Sequence, residues 1–244
     1  MPDPCDPDLE ASVRKALAEP PSRVRLLALG DGRRFWLKRV ERLSGRLRLQ
    51  KGNPARAFAA ERAGLQLLAD EGLPVADVEL AGPDWVLMRD AGPVLPEVVA
   101  DPARSEAEQL EAFRQAGRAL GLLHWSGIAH GRPAVRDICW DGKVARFIDL
   151  ERFRRAGRGG FWQAADVVML AQTAYTQWPN DARWLDAALA AYKVAAPPAS
   201  VARVTRLAGW LAPLGWLAAV LARLRPESRE LRAVPLTLQR LRGS

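Results

Sequence analysis

An α+β chain of two lobes is what the amino-acid sequence predicts, on three observations. Four short apolar runs, at 24–29, 34–40, 75–80 and 85–88, surround one helical stretch that begins at Pro54. Gly92, Pro93 and Pro96 then break the pattern. From Ser105 onward helical periodicity dominates, and strand-like residues occur only at 130–150. Strands with one helix, followed mostly by helices, assign residues 1–90 to a β-rich N-lobe and 91–244 to a helical C-lobe.

Each element carries its own signal. Residues 9–18 read as a helix in a leader closed by Pro20-Pro21. Gly30-Asp31-Gly32 between two apolar runs is a hairpin turn. A basic connector follows (Arg42, Arg46, Arg48, Lys51). Asn53 is then placed to cap a helix with Pro54 in its first position, running to Glu71 before Gly72. Gly82-Pro83-Asp84 turns between the third and fourth runs. Ser105 and Glu108 form a capping box for a helix carrying Leu110, Phe113, Leu120 and Leu123. Asp141-Gly142 pairs 138–140 against 143–147. A glycine- and arginine-rich loop spans 152–160, and helices are expected at 162–175, 181–194 and 201–224.

Composition excludes several classes. Hydrophobic residues make up 49% and charged residues 26% of 244, a globular balance that rules out wholesale disorder. Cys5 and Cys139 are too few for a disulfide framework, and His124 and His130 too few for a histidine-rich metal centre. The acidic, proline-rich opening is the opposite of a signal peptide, which leads to the expectation of a cytoplasmic protein. No G-x-S-x-G, H-E-x-x-H, C-x-x-C or P-loop pattern occurs. The net charge is +8, and eight arginines against two glutamates from Ser200 onward place +6 of it in the last 45 residues. That tail reads either as a face for nucleic acid or anionic lipid, or as a solvated basic helix. Nucleic-acid binding has only the charge in its favour.

The candidate chemistry starts at Lys38, a lysine on a strand of large apolar residues, which must reach water or find a partner. Glu61 falls at i+3 from Phe58 and four residues before Leu65, on the apolar stripe of its helix. It either pairs with Lys38 or reaches water from the margin of the stripe. The Asp141-Gly142 hairpin returns Asp149 close beside Asp137. Two adjacent carboxylates invite a cation, and oxygen ligands suit Mg²⁺; the alternative is two solvated aspartates.

In order, these elements resemble the protein-kinase-like fold: a strand lysine, a helix glutamate, a hinge, a helix leading to His130-Gly131, and a hairpin ending in Ile148-Asp149-Leu150-Glu151. The chain is most similar to the bacterial sugar-kinase branch that phosphorylates the Kdo or heptose of the lipopolysaccharide inner core. The likeness lies in Phe35-Trp36-Leu37-Lys38, Pro54-Ala55-Arg56 through Glu61 to Val75, Leu122-Leu123-His124 through Gly131, and Phe147 to Glu151, within residues 24–175. The resemblance implies ATP and Mg²⁺ as cofactors and a sugar or lipid-linked sugar as acceptor. It implies that Lys38, held by Glu61, contacts the ATP phosphates and that Asp149 binds metal. Leu87 and Met88 would meet the adenine at the hinge, and Asp166 would brace the catalytic loop.

Two departures stand out. That branch reads H-G-D-x-x-x-x-N, whereas this chain reads His130-Gly131-Arg132 and then, after four residues, Asp137. Arg132 replaces the catalytic base, and Asp137 replaces the metal-binding asparagine while still supplying an oxygen. The glycine loop is reduced to Gly30-Asp31-Gly32. Arg132 either stabilises the transferring phosphoryl group or fills the site and leaves a pseudokinase, a nucleotide-binding or membrane-associated scaffold. Finally, residues 207–222 carry no charge, include Trp210 and Trp216, and have Arg203, Arg206, Arg223 and Arg225 at their flanks. Pro213 and the length argue against a span. The favoured expectation is a helix packed on the C-lobe core; the other is a peripheral segment at the anionic inner membrane surface.

Overall fold

The computed structural model describes residues 6–40 and 54–243, without the side chains of 54–57. Cys5, the basic connector Arg42 to Lys51 and the Asn53 cap lie outside the described residues. The chain is mixed α+β and divides into two compact units, Met1–Ala91 and Gly92–Ser244.

The first unit is built on a four-stranded antiparallel sheet. Helix α1 (Pro7–Ala18) is capped by Asp6, whose carboxylate accepts the amides of Asp8 at 3.1 Å and Leu9 at 3.2 Å. β1 (Val24–Ala28) and β2 (Arg34–Arg39) form the expected hairpin; after helix α2 (Pro54–Asp70) come β3 (Val78–Ala81) and β4 (Trp85–Arg89). The strand order is β1-β2-β4-β3. The third strand starts at Val78 rather than Val75, because the Val75 amide donates to the Leu73 carbonyl in a bend that follows α2. Paired residues of adjacent strands share a face, so register sorts the side chains. Leu27, Phe35, Leu37 and Leu87 point to one face, where Leu9, Val13 and Ala16 of α1 cover them. The leader helix is therefore part of the first core. Trp36, Lys38, Val86 and Met88 point to the other face, and α2 turns Phe58, Glu61, Leu65 and Leu68 inward at helical spacing.

The second unit is mainly helical. It begins with a short helix α3 (Leu95–Ala100), which the glycine-proline break concealed; Pro96 stands in its first turn, where a missing amide costs nothing. The capping box of α4 (Glu106–Trp125) is present, with the Ser105 amide donating to Glu108 at 2.8 Å. β5 (Ile128–Ala129) pairs with β8 (Arg154–Arg155), a two-residue strand inside the expected loop. Between them a 3₁₀ turn (Val135–Asp137) leads into β6 (Ile138–Trp140) and β7 (Ala145–Phe147). Strand β7 starts two residues later than expected. The Asp141 carboxylate accepts the Lys143 and Val144 amides, both at 2.9 Å, and Gly142 (φ +97°) takes the left-handed position, which widens the turn.

Helices α5 (Phe161–Gln177) and α6 (Arg183–Ala195) follow. The expected helix 201–224 is two helices, α7 (Pro198–Trp210) and α8 (Ala212–Leu224), bent by 51° at Leu211. Pro213 in the first turn of α8 lacks the amide needed to continue α7. A last helix, α9 (Arg229–Arg242), was not anticipated; it runs through Pro235 and buries Ala233, Thr237, Leu238 and Leu241. Among the described residues no single helix is long and apolar enough to cross a membrane.

Candidate functional site

In the first unit Lys38 and Glu61 form a buried ion pair, with Lys38 8% and Glu61 1% exposed. Strand alternation aims the lysine at the α2 face, and the i, i+3, i+7, i+10 spacing of Phe58, Glu61, Leu65 and Leu68 aims the carboxylate back. Taking either charge out of water alone costs several kcal/mol, about 3–5 when one partner of a buried pair is removed. Of the two residues expected at the hinge, Met88 shares the lysine's face. Leu87 does not: its side chain sits in the core beneath α1.

In the second unit the loop after β5 is gripped from below. Asp166 on α5 is buried, and its two oxygens accept the backbone amides of His130 at 2.6 Å and Gly131 at 2.8 Å. Gly131 has φ +93°, and a Cβ there would lie 2.2 Å from the Arg152 carbonyl oxygen, so this position admits only glycine. The His130 ring lies edge-on to Phe147 with centroids 4.7 Å apart, and its Nδ1 accepts the Arg132 amide at 3.4 Å. Burial pushes its pKa down to about 4, against the opposing charges of Asp166 and Asp149, so the imidazole is neutral at pH 7. His130 thus holds the loop through its backbone and its packing.

The grip on Asp166 extends through a buried polar network. His124 on α4 sets Nε2 at 3.3 Å from Asp166 and Nδ1 at 2.8 Å from the Tyr192 hydroxyl on α6. α4 and α6 approach this closely because Gly117 and Gly121 face the α6 backbone, where a Cβ on Gly117 would meet the Ala188 carbonyl at 2.0 Å. Burial, with the Asp166 charge second, pushes the Tyr192 pKa up. One helical turn before Asp166, Gln163 donates to the His124 carbonyl at 2.9 Å and accepts from Ser200 at 2.7 Å and from the Gly159 amide at 2.9 Å.

Arg132, Asp137 and Asp149 occupy the loop and hairpin above. The Ile148 amide donates to the Asp137 carbonyl at 3.1 Å, which sets Asp149 one residue from that contact. The Asp137 side chain is largely buried, with the Arg136 guanidinium 3.9 Å from it. Arg132 brings Nη2 to 4.0 Å from an Asp149 oxygen, a charge contact beyond hydrogen-bond reach. His130, Arg132, Asp149, Glu151 and Arg152 line a cavity of about 10 Å³.

No family model matches the chain. Over 121 residues it is 31% identical to a protein of Haemophilus influenzae described as uncharacterized, a match covering 50% of this chain and 50% of that protein. The matched stretch therefore spans about half the length of that relative.

The sequence alone singled out Lys38, Glu61, His130, Arg132, Asp137, Asp149 and Asp166. It did not reveal Gln163, Tyr192 and Ser200. The available signal was Gln163 and Asp166, two polar residues three apart on a helix otherwise rich in Ala, Val, Met and Leu.

Proposed function

We propose that the chain is a phosphotransferase that uses ATP and Mg²⁺ and phosphorylates the hydroxyl of a sugar or lipid-linked sugar. The observation that carries this reading is the buried Lys38–Glu61 pair. A fold gains little stability from a buried ion pair compared with apolar side chains of the same volume. A fixed ammonium on a strand is instead a good ligand for phosphate. The resemblance assigns Lys38 that role and makes Glu61 the group that holds it. The grip of Asp166 on His130 and Gly131 adds support, since the resemblance assigns Asp166 to bracing this loop.

The donor set suits the cofactors. Asp149 and Asp137 offer the hard carboxylate oxygens that Mg²⁺ prefers, and the metal, when bound, would neutralise charge on the phosphates. Lys38 would neutralise phosphate charge. Arg132 stands where the branch has its base and would stabilise the transferring group through its fixed positive charge. Phosphoryl transfer has a loose transition state, so the acceptor hydroxyl loses its proton late and a strong base is dispensable. A lipid-linked acceptor would place this work at a membrane surface.

The 4.0 Å approach of Arg132 to Asp149 favours a second reading, a pseudokinase that binds nucleotide without transferring phosphate. Measuring ATP consumption with Mg²⁺ and a panel of lipopolysaccharide-core sugars separates the two. The phosphotransferase reading expects acceptor-stimulated turnover that falls at least a hundredfold in Arg132→Ala, since an arginine on a transferring phosphoryl group is worth about 10³ or more. Nucleotide binding with no turnover above background in the wild type would leave the pseudokinase reading.

A further inference from the structure

Helix α8 is built inside out. It turns Gly215 and Ala218 toward the protein, and a Cβ on Gly215 would sit 3.2 Å from Leu238 of α9. Its large apolar side chains face solvent instead. Trp216 is 71% and Leu224 75% exposed, Leu214, Leu217 and Leu221 are also exposed, and Trp210 at the end of α7 is 76% exposed. The expectation that 207–222 packs on the core therefore fails for most of the segment; only Leu207, Ala208, Gly215 and Ala218 are buried. The small side chains are the ones that let α8 lie close to α9, and that arrangement sends the bulky ones outward. A contiguous exposed apolar patch of this kind marks an interaction site.

The charge around the patch identifies what covers it. Between Asp186 and Glu227 there is no acidic residue, while Lys193, Arg203, Arg206, Arg223 and Arg225 supply five positive charges. All four arginines are exposed. Two tryptophans with leucines, rimmed by arginines and free of carboxylates, match a headgroup layer over acyl chains. A second copy of the chain fits less well, since a two-fold contact would bring the same arginine rim against itself. A span is disfavoured as well. α7 is anchored by buried Ser200, Val204, Leu207 and Ala208, and the pair reaches spanning length only across the 51° bend.

We propose that the α7–α8 surface is a peripheral docking site for anionic phospholipid, with Trp210, Leu214, Trp216, Leu217, Leu221 and Leu224 entering the interface and the arginines on the headgroups. This is independent of the nucleotide chemistry, and either can fail without the other. The test is flotation of the full chain with vesicles of phosphatidylcholine alone and of phosphatidylcholine mixed with phosphatidylglycerol, with size-exclusion chromatography and thermal melting as controls. The wild type is expected to float with the mixed vesicles, to bind neutral ones at least tenfold more weakly, and to be released by salt. Trp216→Ser with Leu217→Ser abolishes flotation, and Arg223→Gln with Arg225→Gln weakens it roughly thirtyfold, at about 1 kcal/mol per arginine. Both substitutions are at exposed positions, so melting stays unchanged. Absence of flotation overturns the proposal. So does flotation that survives both variants, or a dimer in chromatography that Trp216→Ser and Leu217→Ser dissolve.

Discussion

A lysine ammonium and a glutamate carboxylate each lose several kcal/mol when dehydrated, and their mutual contact offsets that cost for Lys38 and Glu61. This was legible in the sequence because each charge interrupts an apolar pattern with a known period. It also makes Lys38→Ala a poor probe of function, since the variant takes a cation away from a buried carboxylate and so disturbs folding as well as the site. Asp149, about a quarter exposed, is the cleaner position. His130 offers a prediction at the same scale. Its folded pKa of about 4 lies below the ordinary 6.5, so between those values the unfolded chain binds a proton that the folded chain refuses. Asp166 and Asp149 oppose the downward shift, Arg132 reinforces it, and burial is the largest influence. Its contribution is fully present above pH 6.5 and is lost as pH falls toward 4, by about 3 kcal/mol. Denaturant melts of wild type and His130→Gln across pH 4–7 check this. The wild type is expected to lose more stability on acidification, and parallel curves would contradict the assignment.

Elements were legible where a local signal set their limits and hidden where packing did. The capping box of α4, the Gly30-Asp31-Gly32 turn and the Asp141-Gly142 turn all stand where local chemistry puts them. α9 was missed because Pro235 and the arginines around it read as a basic tail, although packing of Ala233, Leu238 and Leu241 carries the helix through the proline. Likewise the network of His124, Tyr192, Gln163 and Ser200 joins four helices, and no spacing within one of them reveals it. The element that organises it is α5, through Asp166. Asp166→Asn keeps one acceptor oxygen and strips the other from a buried amide, at a cost of about 2 kcal/mol. Hydrogen exchange is expected to quicken at the His130 and Gly131 amides while the α4 interior stays protected. Unchanged protection at those two amides would show that the loop is held by something else.

At the scale of the whole molecule, the α+β character and the two compact units follow from the order of strand-like and helical runs. The sheet order β1-β2-β4-β3 and the use of the leader helix as a core layer depend on tertiary packing, which one sequence does not display. The central claim is that the chain binds ATP in a magnesium-dependent way. Isothermal titration of the full wild-type chain and of Asp149→Asn with ATP, in the presence and absence of Mg²⁺, tests that claim most directly. Binding by the wild type is expected to strengthen at least tenfold with Mg²⁺, and Asp149→Asn is expected to lose that magnesium dependence despite unchanged melting. A wild type that releases no heat with ATP at any magnesium concentration, or an Asp149→Asn protein that binds as tightly, would contradict it.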